Sequence, residues 1–192
     1  MQDIKIFILN GPAGVGKDTF VTYVDNCCRN QLNSKVISLS SVGGIKMIAS
    51  TYFGYKEFVK SDKDRKFLAD LKQLTDDYCD YSFIYVNEEI NKLKEANKSG
   101  VYTQTAAVFI MCREPDKIFK FAEKYNAKTI FIDSTRDIHQ VNNNAADKNV
   151  RNYEYDITIH NNKDLANLSK IAKSFMENEI FDDGRLKINS YE

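Results

Sequence analysis

The densest chemistry in the chain lies in residues 11–19, GPAGVGKDT, directly after the apolar run IKIFILN. Gly11, Gly16 and Lys17 complete a G-x-x-x-x-G-K pattern that encloses Ala13, Gly14 and Val15. Glycines let backbone amides turn inward around phosphate oxygens, the helix that follows adds the positive end of its dipole, and a lysine supplies a mobile cation. The strand-loop-helix context is present, since Thr19, Phe20, Val21, Tyr23 and Val24 continue past Lys17 as a helix. Asp18 stands where such loops normally carry the Ser or Thr that ligates Mg²⁺. The dipole favours a carboxylate in the first turn, but bound phosphates repel it unless it faces the metal. Mg²⁺ keeps several waters and is readily ligated through them, so metal-shell duty is favoured for Asp18 over simple helix capping, with Thr19 offering a hydroxyl one residue later.

These residues need a scaffold, and the sequence supplies one. Apolar, β-branched runs recur at 4–10, 35–40, 106–112, 127–133 and 155–160, with helical periodicity between them. Near-continuous apolar strands are covered on both faces, and strand-helix alternation requires a parallel sheet with right-handed crossovers. The expected class is α/β, a doubly wound layer structure. Residues 62–79 predict a helix with Phe67, Leu68, Leu71 and Leu74 on one stripe and Ser61 or Asp62 as cap. A second helix, about 83–97, carries Ile84, Ile90 and Leu93, so two helices are expected between the second and third strands. The span 41–105 exceeds what one crossover needs and reads as a helical insert over the sheet. Residues 134–155 are Asn-rich, charged and poor in aliphatics, and read as a lid; 164–176 predict a final amphipathic helix, and the tail from Glu177 is ambiguous.

Composition narrows the function. A chain of 192 residues with 43% apolar content suits a single domain spanning residues 1–192. Lys plus Arg and Asp plus Glu both number 27, so no net charge draws the chain to nucleic acid or an anionic membrane. No apolar stretch approaches the roughly 20 residues that span a bilayer, and the N-terminus lacks a basic region followed by an apolar core, so a soluble, unexported, cytoplasmic chain is expected. Cys27, Cys28, Cys79 and Cys112 lack metal-ligand spacing and read as reduced thiols; with only two histidines a zinc site is not expected. His139 and His160 lie in no arrangement that suggests a nucleophile or base.

GPAGVGKDT resembles the G-K-D phosphate loop of two related groups of P-loop kinases, phage-type deoxynucleoside monophosphate kinases and animal-type phosphomevalonate kinases, within the nucleoside monophosphate kinase-like superfamily. In those groups the residue after the lysine is Asp. The stretch VFIMCREPDKIFKFAEKYNAKTIFID (108–133) is similar to the family's third strand, polar turn, helix and fourth strand. There Arg113 matches the family arginine, Cys112 takes the place of the strand-end acid, and Glu114 is the nearest substitute as a metal-site carboxylate. A strand end in an open parallel sheet faces the ligand crevice, where Arg113 can grip a transferring or acceptor phosphoryl group. SSVGGIKMIASTYFG resembles the segment that precedes a helix under the acceptor pocket, which makes Lys46, and Arg65 beyond it, candidates for acceptor phosphate binding. Phe53, Tyr55 and Phe58 are candidates to wall an acceptor base pocket. DKNVRNYEYDITIHNNKDLANL resembles the lid exit, last strand and following helix, and Arg136 and Arg151 bracket the lid as catalytic candidates.

The resemblance implies a three-layer P-loop kinase fold, five parallel strands in the order 2-3-1-4-5, with an acceptor-binding insert and a lid. It implies an enzyme that uses ATP and Mg²⁺ to phosphorylate a phosphate-bearing small molecule, as a monomer or homodimer. A (deoxy)nucleoside monophosphate is the first acceptor, phosphomevalonate the second and dephospho-coenzyme A the third. A slow nucleotide switch would need a strand-end aspartate, missing at Cys112, and usually an N-K-x-D motif, absent from the sequence. A former kinase that only binds nucleotide is the other alternative, and Cys112 keeps it open.

Overall fold

Period-two alternation in the strands dictates which side chains go to which face. The computed structural model describes residues 3–57, 61–100, 103–135, 151, 153–181 and 190–191. The strands are β1 (Lys5–Asn10), β2 (Ser34–Ser40), β3 (Gln104–Met111), β4 (Lys128–Asp133) and β5 (Ile157–His160), and all pair in parallel in the order 2-3-1-4-5. The helices are α1 (Lys17–Leu32), α2 (Gly43–Phe53), α3 (Asp62–Cys79), α4 (Tyr81–Ser99), α5 (Pro115–Tyr125) and α6 (Leu165–Phe175), the last running on into a π-helical turn, Met176–Ile180.

One sheet face presents Phe7, Leu9, Phe109, Ile130, Ile132 and Ile159 to Phe20 and Val24 of α1 and to Leu168 and Phe175 of α6. The alternate residues Ile8, Val108 and Ile110 meet Val86 and Ile90 of α4 and Ile118 and Phe121 of α5 on the other face. The result is three layers with the sheet in the middle. Phe175 is the centre of an aromatic cluster, with ring centroids 5.1 Å from Phe7, 5.4 Å from Phe20 and 5.9 Å from Phe109.

Helix boundaries follow local chemistry. Ser61 caps α3 by accepting from the Asp64 amide, while the Asp64 carboxylate accepts from the Ser61 amide, completing a capping box. Pro115 opens α5, and left-handed residues Asn33 and Asn126 close α1 and α5 so that β2 and β4 start almost at once. The Asp25 carboxylate of α1 accepts from the Val36 amide at 2.7 Å, which ties that helix to the edge strand.

Three sequence expectations change. Among the described residues three helices, not two, lie between β2 and β3, because the apolar run Gly43–Phe53 forms α2, with Ile45 and Ala49 buried. In α3 no residue is fully buried and Leu74 is 68% exposed, since the helix packs against α2 and α4 rather than on the sheet. The buried stripe of α4 runs through Val86 and Ile90, while Ile84 is 40% exposed. Part of the ambiguous tail adds a two-residue parallel strand, β6 (Ser190–Tyr191), beyond β5. Most of the lid, residues 136–150 and 152, lies outside the described residues. Among the described residues, no helix is long and apolar enough to cross a membrane.

Truncating the shared aromatic anchor tests this core. Phe175→Ala should destabilise the protein by about 3–5 kcal/mol in urea unfolding, whereas Phe119→Ala, at a side chain 59% exposed, should stay within about 0.5 kcal/mol of wild type. Equal effects of the two would contradict the packing described.

Candidate functional site

The turn out of β1 brings Gly11, Gly16 and Lys17 together at the carboxyl end of the sheet. Gly11 has φ 147° and Gly16 φ 102°, backbone conformations that L side chains rarely adopt. Space forbids a side chain as well as torsion does: a Cβ on Gly11 would lie 2.4 Å from the Ile132 carbonyl oxygen, and one on Gly16 would lie 2.7 Å from Asn161 Nδ2. The loop is therefore laid against the ends of β4 and β5 with no room to spare.

Lys17 is the first residue of α1 and follows Gly16 at the N-cap. Its Nζ donates to the carbonyls of Gly11 at 2.6 Å and Pro12 at 2.7 Å, so the ammonium arches back across the loop. Val15 is buried and anchors the loop, Asp18 is exposed in the first helical turn, and Thr19 beside it is half-buried. The arrangement offers a concave backbone, a helix N-terminus and a cation at one place. A chain of oxyanions is the ligand class for which all three are favourable.

Two buried amides fix the loop: Asn10, which the sequence did not single out, and Asn161, which closes the stretch YDITIHN. Asn10, fully buried at the end of β1, accepts from the Gly11 amide at 2.8 Å and donates to the Tyr155 hydroxyl at 2.7 Å. Asn161, just past β5, donates from Nδ2 to the Val15 carbonyl at 2.8 Å. The available signal was a polar residue closing an otherwise apolar strand, which turn propensity alone also explains. Tyr155 stacks on Phe131 with centroids 5.0 Å apart, and burial pushes its hydroxyl up to about 12, so it stays a neutral donor and acceptor.

At the end of β4, Asp133 is a carboxylate next to the loop that the sequence did not single out. It receives a bidentate pair from Arg151, 2.8 Å and 3.2 Å, while its Oδ1 also accepts from the Ser134 amide at 2.9 Å. Arg151 thus comes back to the strand ends, its guanidinium 5.7 Å from the Phe131 ring centroid. Arg136, Phe58 and His139 lie outside the described residues.

At the end of β3 the chemistry differs from a strand-end acid. Cys112 is 1% exposed, and burial, reinforced by the Glu114 charge, pushes its thiol far up, so the group is neutral. Its sulfur lies 3.6 Å from Glu114 Oε2. Glu114 Oε1 is 3.3 Å from Lys72 of α3, which is 2.8 Å from Asp76; Lys117 of α5 adds 3.6 Å to Asp76 and, with Lys120, a contact to Asp80 between α3 and α4. Glu114 is therefore committed to a charge network that ties the insert to α5. Arg113, half-buried beside it, lies in the turn between β3 and α5. Among the described residues no group of three or more His, Cys, Asp or Glu side chains could hold a metal ion. Mg²⁺ does not need one, since it binds through one or two carboxylates together with substrate phosphates.

Beside the carboxyl end of β2 lies a cavity of about 470 Å³ lined by Ser38, Ser40, Lys46, Tyr55, Glu57 and Tyr85, among others. Lys46 Nζ meets Glu57 Oε1 there at 2.5 Å. Tyr55 is buried in its wall, whereas Phe53 is 62% exposed and packs edge-on against Phe67 of α3, outside the cavity. Arg65 also lies outside it, on the exposed side of α3 within 3.8 Å of Asp62. Comparison with known proteins matched no family model and no curated protein.

The charge network has a pH signature. Burial raises the Asp76 carboxyl, but hydrogen bonds from Lys72 and Ser82 outweigh it and hold the group below its ordinary range. A depressed carboxylate stabilises the fold above its unfolded value, about 3.9, and the contribution is lost as pH falls through the lower folded value. Asp76→Asn should cost roughly 1–3 kcal/mol at pH 7, with the difference from wild type shrinking below about pH 4 in unfolding measured across pH. A difference that grows on acidification would contradict the assignment.

Proposed function

We propose that the chain is an ATP-dependent phosphotransferase of the nucleoside monophosphate kinase-like kind, moving the γ-phosphoryl group to a small molecule that already carries a phosphate. The observation that carries this is the phosphate loop itself: Gly11 and Gly16 in conformations a side chain would block, with Lys17 arched over them at the head of a 16-residue helix. The cavity with Lys46, at the carboxyl end of β2 with β3 between it and β1, is assigned as a separate polar pocket for the acceptor. A (deoxy)nucleoside monophosphate is the first candidate and phosphomevalonate the second.

The chemistry asks little of the protein beyond placement. An oxygen of the ionised acceptor phosphate attacks the γ-phosphorus in line, and the bond to the β-γ bridging oxygen breaks to release ADP. No strong base is required for such a nucleophile, and charge neutralisation and positioning provide the rate. Lys17 and the loop amides hold the donor phosphates, Lys46 and Arg113 are assigned to the acceptor and transferring groups, and Asp18 with Thr19 would hold Mg²⁺ through its waters. Mg²⁺, when bound, neutralises charge on the β- and γ-oxygens. In the closed complex Arg151 and Arg136 would add positive charge at the lid.

Cys112 favours one alternative, a protein that binds the nucleotide without transferring phosphate, because the buried thiol stays neutral where a carboxylate is expected. ADP formation from Mg²⁺-ATP across a panel of monophosphates separates the two. One acceptor should raise turnover well above the ATP-only rate, and Lys17→Ala should reduce that stimulated rate by about 10²-fold or more. Stimulation by no acceptor, with ATP still bound, would leave the binding protein as the correct account.

A further inference from the structure

Asn161 closes the stretch YDITIHN, at the junction between β5 and the turn into α6. Its side chain is almost wholly enclosed, the residue being 5% exposed. Its backbone N–H donates to the Asp133 carbonyl at 2.8 Å, and its carbonyl accepts from the Ser134 hydroxyl at 2.8 Å, so its own main chain is fixed by the end of β4. From that fixed base, Nδ2 reaches the Val15 carbonyl at 2.8 Å. A carbonyl can only accept, so the amide nitrogen, and not its oxygen, must face Val15.

Peptide planarity converts this contact into a statement about the loop. Carbonyl and N–H of a trans peptide point in opposite directions. Holding the Val15 carbonyl on Asn161 therefore turns the Gly16 N–H to the far side of that peptide. Gly16 is the residue at which the peptide could otherwise rotate, because it has no Cβ and lies at φ 102°. The absent Cβ is also what lets Asn161 approach so closely.

We infer that Asn161 is a positioning residue for phosphate binding: its side-chain amide locks the Val15–Gly16 peptide in the orientation that presents the Gly16 N–H to an anion. The inference rests on the proposed role of the loop in holding nucleotide phosphates. Asn161 itself touches the loop backbone and needs no contact with the ligand. An oxygen in place of Nδ2 sets two acceptors face to face and favours the flipped peptide. A hydrogen-bonded donor restores the lock.

Asn161→Asp exchanges one for the other almost isosterically and makes the lock titratable. An enclosed carboxyl has a raised pKa, and its protonated form donates as the amide does. Mg²⁺-ATP binding is measured by calorimetry between pH 8 and pH 5 for wild type, Asn161→Asp and Asn161→Ala, with thermal melts confirming that each is folded. At pH 8 both variants should bind about tenfold more weakly or worse. The ratio of Asn161→Asp to wild-type Kd should fall toward one as pH drops, whereas the Asn161→Ala ratio should not. Should Asn161→Asp fail to fold, Asn161→Ser, a shorter donor, replaces it: binding intermediate between wild type and Asn161→Ala supports the lock, and binding no better than Asn161→Ala overturns it. Wild-type binding with unaffected variants, or a pH-independent loss in Asn161→Asp, overturns the positioning role alone. Absence of wild-type binding overturns the phosphate-loop reading together with it.

Discussion

The turn from β1 into α1 touches the backbone of β4 so closely that Gly11 cannot carry a side chain. That approach depends on β1 being the central strand, flanked by β3 and β4, with its carboxyl end level with theirs. It also depends on buried amides, because a strand end stripped of water must find partners for its polar groups. Asn10 and Asn161 satisfy the loop backbone from opposite sides, and each is anchored in turn, one by Tyr155 and the other by the end of β4. The site is thus a property of four strand ends held in register rather than of the glycine motif alone.

A second constraint governs the insert. Helix α3 has no buried residue, so hydrophobic packing alone does not hold it in place. Lys72 and Asp76, both largely enclosed, connect α3 to Glu114 and Lys117 at the start of α5, and Asp80 receives Lys117 and Lys120. Partly enclosed pairs of this kind are geometrically demanding and supply definition of position more than net stability. They link α3 and the α3–α4 junction to the end of β3 and the start of α5, beside Arg113. Cys112, buried and neutral under this network, closes β3 where the sequence led one to expect a carboxylate.

Much of this was legible in the sequence because it depended on local pattern. Apolar runs located all five main strands, and the Ser61 cap and the helix over 62–79 followed from side-chain chemistry near in sequence. The strand-loop-helix turn through Gly11, Gly16 and Lys17 was legible for the same reason: its glycines and lysine are contiguous. Asn10 and Asp133 were not, and neither was the contact of Asn161 with Val15, since their significance lies in contacts between strand ends distant in the chain. A polar residue closing a strand looks like an ordinary turn until its neighbour strand is known. Leu74 misled because period 3.6 marks an apolar stripe without saying whether anything covers it, and α2 escaped notice because its apolar run is short.

The central claim is that the Gly11–Lys17 backbone receives phosphates, and amide chemical shifts report it most directly. On titrating ¹⁵N-labelled protein with Mg²⁺-ATP, the amides of Gly14, Gly16, Lys17 and Asp18 should shift saturably and downfield, as N–H groups donating to oxyanions do, with smaller changes in α3. Saturable shifts confined to other surfaces, or none at all at millimolar nucleotide, would contradict it.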